Sequence, residues 1–197
     1  MKCFEIAVFI ALFVSSIVNA ASEKLPANSE FLTCNKMELH KRVQDYDPPM
    51  NTYFVYKNYL IQPDDRTMVD TSYIIKNNNI RLNTLTLKNT GTLIHTEASI
   101  CNNTKNNEYI IIEDEWEGED AGSGTGVLVI DISNNTAKKL YRDNFDDERY
   151  TPKKLLNQQK YLPITPTLFE KDGGLYMKVG STYKSDIITL KKSNSGK

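Results

Sequence analysis

The sequence predicts a mainly β domain: an antiparallel meander of about 8–10 strands, forming a barrel or a two-sheet sandwich with one or two short helices. Runs rich in Val, Ile, Tyr and Thr recur along the chain, separated by short clusters of Asn, Asp, Gly and Pro, which is typical of strands joined by tight turns. No helical pattern of crossover length intervenes, so the strands should pair antiparallel. A barrel and a sandwich both protect strand edges, and the sequence does not decide between them.

Four predicted strands follow one another at short spacing. They cover residues 52–62, 67–76, 80–88 and 92–100. The segments between them, 63–65, 77–79 and 89–91, carry residues that suit tight turns because they tolerate positive φ or cap the backbone. In the third strand the alternation changes phase between Leu82 and Leu85, which predicts a β-bulge there.

Residues 107–143 hold the strongest strand signals, at 109–112 and 127–132. In the second of these, Leu128, Ile130 and Ile132 alternate and form a wholly apolar face, which should meet the core. Asn134-Asn135 then suits a tight hairpin, because asparagine tolerates the left-handed region. Residues 136–142 are expected to return as the partner strand.

An acidic segment lies between these two strands. Six of the eight residues 113–120 are acidic and none is basic; the acidic residues are Glu113, Asp114, Glu115, Glu117, Glu119 and Asp120. Burying unpaired charges is costly, so this segment is predicted to be a solvated loop, with residues 122–126 too small to give it a packed shape. It also carries the only tryptophan, Trp116, which is either an interface anchor or a core residue at a strand end.

The domain boundaries come from the two ends of the chain. Residues 1–20 are typical of a secretory signal peptide, with Lys2, an apolar run and a small-residue cleavage site at Ala20; an uncleaved anchor is the alternative. Residues 21–30 are predicted to be a flexible leader, 31–192 a single β-rich domain and 193–197 a disordered tail. Within the domain we expect short helices at 35–46 and from Thr151 to about residue 160, where proline suits the first helical position.

The cysteine count indicates an oxidising compartment. Cys3 lies in the predicted signal peptide, so Cys34 and Cys101 remain as an even pair and are expected to form a disulfide, with two free thiols as the alternative. We therefore expect a secreted or periplasmic protein without a membrane span after the signal. The net charge of −1 argues against general nucleic-acid binding, which needs a concentrated basic face.

The leading functional hypothesis is a non-enzymatic binding or inhibitor protein. Its acidic, tryptophan-containing loop would recognise a protein partner with a basic surface, because recognition usually resides in loops on rigid sheets. No cofactor is predicted, although the carboxylates leave calcium as an alternative; the spacing departs from that of an EF-hand loop. A hydrolase with scattered catalytic residues, His40 and His95 among the candidates, is a further alternative. The sequons at Asn102 and Asn134 are either glycan acceptors or plain turns, depending on the host.

The chain length and strand count are also similar to those of lipocalins, the secreted eight-stranded barrels that hold small apolar ligands. This resemblance implies a carrier function and a barrel interior lined by residues such as Phe54, Tyr56, Ile74 and Leu128. The Gly-x-Trp motif that lipocalins carry near the mature N-terminus is absent, since Trp116 lies in the middle of the chain.

Overall fold

The computed structural model describes residues 26–41, 52–66, 70–88, 92–118 and 122–193. The predicted signal peptide lies outside these ranges, and so do residues 119–121, among them Glu119 and Asp120. The described residues form three antiparallel sheets and two short helices, which confirms the mainly-β prediction. The sheets are open and sandwich-like, so the barrel alternative is wrong for this part of the chain.

The strands, in chain order, are β1 Ser29–Phe31, β2 Thr33–Lys36, β3 Glu38–Lys41, β4 Thr52–Tyr56, β5 Tyr59–Arg66, β6 Asp70–Asn77, β7 Ile80–Lys88, β8 Thr92–Asn102, β9 Glu108–Gly118, β10 Gly122–Asp131, β11 Lys138–Asp146, β12 Thr165–Lys171, β13 Gly174–Gly180 and β14 Ser185–Lys191. The helices are α1 Asp147–Tyr150 and α2 Lys153–Leu156, and a 3₁₀ turn covers Ser133–Asn135.

The three sheets are contributed by different parts of the chain. Strands β3-β4-β5-β6-β7 form the meander sheet in sequence order, β11-β10-β9-β8-β2 form the central sheet, and β1-β12-β13-β14 form the terminal sheet. Two separate hydrophobic clusters hold these sheets together, one on each face of the central sheet. The central sheet is therefore covered on both sides.

The first cluster joins the central sheet to the meander sheet. Alternate residues of β9 and β10, among them Ile110, Ile112, Leu128 and Ile130, point to this side. They meet the buried side chains of the meander sheet: Phe54, Tyr59, Ile61, Tyr73, Ile75 and Leu87. Phe54, Leu128 and the partly buried Tyr56 thus pack into a core instead of lining a barrel interior.

The second cluster joins the opposite face of the central sheet to the terminal sheet. Ile111, Val127 and Val129 supply the central sheet's share, and the terminal sheet contributes Leu168, Leu175, Met177 and Val179. Strand β10 is therefore buried on both faces, whereas the alternation predicted one core-facing side. Two-sided burial explains why residues 127–130 form a continuous apolar run, which is typical of strands covered on both faces.

Several local predictions are confirmed. Asn78 and Asn79 adopt positive φ between β6 and β7, and Asn134 and Asn135 do so between β10 and β11. The predicted bulge in β7 is also present: Ile75 pairs with Asn83 and the next residue, Lys76, pairs with Arg81, so Leu82 is the additional residue. The helix expected after Thr151 exists as α2, but it is shorter than predicted.

Other local predictions are wrong. The helix expected at 35–46 is absent from its described part, because Thr33–Lys36 pairs with β8 and Glu38–Lys41 pairs with β4. The strand expected at 52–62 is two strands joined by a turn at residues 57–58, and the turn expected at 63–65 lies within β5, where a bulge occurs. β1 begins at Ser29, inside the segment 21–30 that was predicted to be a flexible leader. At β1 and β2 the pairing partners are the distant strands β12 and β8, so tertiary pairing overrides the local preference there.

The predicted disulfide is confirmed. Cys34 on β2 and Cys101 on β8 lie directly opposite each other, with 4.0 Å between their Cα atoms. The crosslink attaches the short edge strand β2 to the central sheet. Disulfides persist in oxidising compartments, so this bond is compatible with an extracellular or periplasmic location.

Candidate functional site

The acidic segment predicted as a solvated loop is a β-strand over its described residues. β9 runs through Trp116 to Gly118 and pairs residue by residue with β10, from Ile110↔Ile130 to Gly118↔Gly122. The loop prediction is therefore wrong for residues 113–118. Side chains alternate along a strand, so the acidic run is divided between two faces of the central sheet.

Asp114 points inward, toward the meander sheet, and is fully buried. Its Oδ1 accepts a hydrogen bond of 2.5 Å from the Tyr73 hydroxyl and one of 2.7 Å from Thr96 Oγ1. A carboxylate can be buried when donors compensate for the water it loses, and these hydroxyls are two such donors. Tyr73 lies 41 residues away in the chain, so local sequence analysis could not have identified it.

Trp116 also points inward and is 3% exposed, which agrees with the core alternative for this residue. Its indole ring covers Gly124 on the neighbouring strand, so closely that a Cβ on Gly124 would lie 2.3 Å from Trp116 Cζ2. Trp116 Nε1 is buried and has no hydrogen-bond acceptor in the part of the chain that the structure describes. The tryptophan therefore packs within the sheets.

Glu113, Glu115 and Glu117 form the opposite face of β9. Glu115 and Glu117 are exposed and Glu113 is half-buried. None of the three forms an ion pair with a described residue. Three glutamates thus project from one strand without an ion-pair partner among the described residues, although Lys36 lies close enough to act on Glu113, and we call this set the glutamate row.

A groove of about 500 Å³ runs between this face of the central sheet and the segment 163–167. Its floor consists of Leu32, Cys34, Lys36, His95, Glu97, Ser99, Ile111, Glu113 and Glu115. The facing wall, Pro163 to Thr167, carries no charged side chain. We call this feature the glutamate groove; two members of the glutamate row lie in it.

One ion pair, between Lys36 and Glu97, offsets part of the negative charge of the groove. Lys36 Nζ lies 2.8 and 2.7 Å from the two carboxylate oxygens of Glu97, and His95 Nε2 lies 3.3 Å from Glu97 Oε1. The hydrogen bond from Lys36 holds the pKa of Glu97 below its usual value against the opposing effect of burial. Sequence analysis missed the roles of Lys36 and Glu97, although the predicted Cys34–Cys101 pair was the signal that the two segments carrying them become neighbours.

Burial has the opposite effect on Glu113. It is the main cause that raises the Glu113 pKa from 4.5 to about 7. Glu97, which lies directly opposite on β8, and Glu115 on the same strand raise it further, while Lys36 lowers it. The groove therefore holds a carboxyl group that is partly protonated near neutral pH.

This raised pKa predicts a pH-dependent stability. In the folded state Glu113 keeps its proton up to about pH 7, whereas the unfolded chain releases it near 4.5, so stability falls as pH rises through this window. The Glu113→Gln variant cannot ionise. We expect the free energy of unfolding of this variant to be higher than that of the wild type by about 1–3 kcal/mol at pH 8, and by much less at pH 4. Urea unfolding at both pH values measures the difference.

The control for this experiment is Glu30→Gln, a neutralised glutamate outside the groove that is exposed. Its difference from the wild type should not change between the two pH values by more than about 0.5 kcal/mol. If Glu113→Gln shows the same difference from the wild type at pH 4 and pH 8, the raised pKa of Glu113 is contradicted.

The remaining candidate residues do not come together. His40 lies on β3 and stacks on Tyr53, with 5.2 Å between the ring centroids, while His95 lies on β8 beside Glu97. Within the described ranges, no group of three or more His, Cys, Asp or Glu side chains is arranged to hold a metal ion. In the same ranges, no helix is long and apolar enough to cross a membrane.

No protein-family model, curated protein or solved structure matches this chain. The case for a function therefore comes from the geometry of the glutamate row and the glutamate groove.

Proposed function

We propose that this protein is an exported, non-enzymatic binding or inhibitor protein that recognises the basic surface of a protein partner through the glutamate row. The observation that carries the proposal is that Glu113, Glu115 and Glu117 share one face of β9 and form no ion pair with a described residue. Glu115 and Glu117 are exposed and carry the charge of the row near neutral pH, while Glu113, whose pKa is raised to about 7, adds its charge as pH rises. Charges of one sign on a rigid surface favour a partner of the opposite sign and speed its association.

The structure changes how this recognition would work. A binding loop was expected, but the carboxylates lie on a paired strand, so their spacing is set by the backbone. Alternate residues of a strand are about 6.6 Å apart, a spacing that an extended segment with basic residues at every second position would match. Such a segment could lie along the glutamate groove, whose uncharged wall adds no competing charge.

Asp114 and Trp116 do not belong to the proposed contact surface, because both side chains are buried. Truncating Trp116 would remove core packing and lower the free energy of unfolding by about 3–5 kcal/mol. A loss of binding in such a variant could therefore reflect unfolding instead of a lost contact with the partner. The contact residues that the structure supports are Glu113, Glu115 and Glu117, with Glu119 and Asp120 outside the described residues.

The test uses a fluorescein-labelled peptide of alternating lysine and threonine. We expect the Glu115→Lys/Glu117→Lys variant to bind it at least about tenfold more weakly than the wild type, a change of about 1.4 kcal/mol. Binding by the wild type should weaken at high ionic strength, because salt screens exposed charges. Fluorescence anisotropy measures both effects, and thermal unfolding checks that both proteins are folded.

The matched control is Glu30→Lys/Glu38→Lys, which changes the net charge equally at two exposed glutamates outside the groove. This control should retain affinity within about twofold of the wild type. Equal losses in both double variants would show a general charge effect and overturn the proposed surface, and so would undiminished binding by Glu115→Lys/Glu117→Lys.

A further inference from the structure

Two glycosylation sequons lie at the same end of the central sheet and take no part in the proposed binding surface. Asn102-Asn103-Thr104 lies where β8 turns into β9, and Asn134-Asn135-Thr136 lies where β10 turns into β11. The two sites share the motif but differ in how far the fold exposes their asparagines.

Asn134 is presented to solvent. It lies in the 3₁₀ turn with φ of 60°, its residue is exposed, and its side-chain amide forms no hydrogen bond with a described residue. Thr136, whose hydroxyl completes the sequon, is exposed as well, and its Oγ1 donates to the Ser133 carbonyl across 2.9 Å. An attached group at Asn134 would displace no packed side chain.

Asn102 is partly buried. It is the last residue of β8, pairs with Thr33, and has a buried Oδ1. It lies in a crevice of about 200 Å³ that Phe31 and Glu170 also line. Next to it, Asn103 Nδ2 donates to Glu170 Oε1 across 2.7 Å, which fixes the turn. A sugar on Asn102 would have to open this crevice.

We propose that Asn134 is the N-glycan acceptor of this chain and that Asn102 is not. The co-reactant is an oligosaccharide linked to a lipid through a diphosphate. The Asn134 amide nitrogen forms a bond to the anomeric carbon of the first sugar and releases one proton. The bond between that carbon and the phosphate oxygen breaks, and the lipid diphosphate leaves with the bonding electrons. The Cys34–Cys101 disulfide is compatible with an oxidising secretory compartment, where such a donor is used.

The surroundings of Asn134 offer a reason for a sugar there. Ile80 is 68% exposed, and it pairs with Asn77, whose Nδ2 donates to Asn135 Oδ1 across 3.0 Å. A glycan on Asn134 would lie beside this exposed isoleucine and shield it. It would also lie away from the glutamate row, because Glu113 pairs with Val127, about 13 Å along the strand from Asp131, and Glu117 pairs with Ser123, about 26 Å from it.

The test expresses the full chain with its own leader in a eukaryotic secretory cell and compares three variants. The wild type should carry one glycan, seen by intact mass and removed by a peptide-N-glycanase. Asn134→Gln and Thr136→Ala should both lack it. Asn102→Gln, the matched control, should carry the same glycan as the wild type. Thr136→Ala retains the asparagine that suits the positive φ, so a folding defect in Asn134→Gln alone cannot account for the result.

Three outcomes would overturn the assignment: a secreted wild type without a glycan, a glycan that persists in Thr136→Ala, or a glycan that disappears in Asn102→Gln. Peptide mapping after deglycosylation identifies the site directly, because the enzyme converts the acceptor asparagine to aspartate. None of these readouts depends on the peptide-binding experiment, so the two proposals fail separately.

Discussion

The Cys34→Ala/Cys101→Ala variant is expected to lose about 4 kcal/mol of its free energy of unfolding. The disulfide spans 67 residues, and this loop contains every strand of the meander sheet. Without the crosslink, the unfolded chain gains the conformational entropy of a long open loop. The loop-entropy relation gives about 4 kcal/mol for a loop of this length. Alanine suits Cys101, which is fully buried, because it introduces no unpaired polar group.

Urea unfolding of the oxidised wild type, the reduced wild type and the double variant measures this loss. The reduced protein and the variant should unfold at similar, lower urea concentrations, because both lack the same crosslink. Cys34 is exposed, so a reductant can reach the bond in the folded protein. Unfolding midpoints that agree with that of the oxidised wild type would show that the crosslink contributes nothing to stability.

Gly124→Ala is expected to destabilise the protein by about 3 kcal/mol through overpacking. The added Cβ would lie 2.3 Å from Trp116 Cζ2 and 2.4 Å from the Phe145 carbonyl oxygen. The indole is held between strands, and the carbonyl cannot retreat without disturbing the pairing of β10 with β11. Neither neighbour can relieve the clash cheaply. Denaturant unfolding with an unchanged m-value would report the loss.

Gly122→Ala serves as the comparison for this substitution. A Cβ on Gly122 meets only ordinary contacts, at 3.5 Å from Glu148 Oε1, but the residue has φ of +74°. We expect a smaller loss of about 1–2 kcal/mol, set by backbone strain alone.

Repeating Gly124→Ala in a Trp116→Leu background should reduce the cost of the Gly124 substitution, because one of the two clashing groups is then smaller. A change of less than about 0.5 kcal/mol for Gly124→Ala would contradict the packing described above.

The same glycine shows why the acidic stretch was misread from sequence. Residues 122–126 were expected to lack a packed shape, because they carry little side-chain volume. In the structure they belong to β10, and at Gly124 a small residue is required, since Trp116 and the Phe145 carbonyl oxygen occupy the space that a Cβ would need. The role of a small residue is visible only once its neighbours are known.

The period-2 pattern of Glu113, Asp114, Glu115, Trp116 and Glu117 was present in the sequence, but the charge of Asp114 concealed it. A carboxylate is assigned to the core only when its donors are known, and Tyr73 and Thr96 come from other strands. The turns at Asn78 and Asn134, the bulge at Leu82 and the Cys34–Cys101 pair were predictable because each depends on local chemistry or on a count of two cysteines.

The number of sheets was beyond the reach of the local pattern for a related reason. A strand such as β10, with apolar residues at consecutive positions, indicates burial on both faces, but the second covering layer arises from β12, β13 and β14 far downstream. Alternation identifies strands; it does not determine how many layers they build.

The order of the layers along the chain has a consequence for biosynthesis. All strands of the meander sheet and of the central sheet have emerged once residue 146 is made, whereas β12 to β14 are made last. Until β12 to β14 pack against the central sheet, one apolar face of that sheet stays exposed on the nascent chain; this face includes Ile111, Val127 and Val129. The nascent chain is therefore most prone to aggregation near the end of translation, when binding by a chaperone matters most.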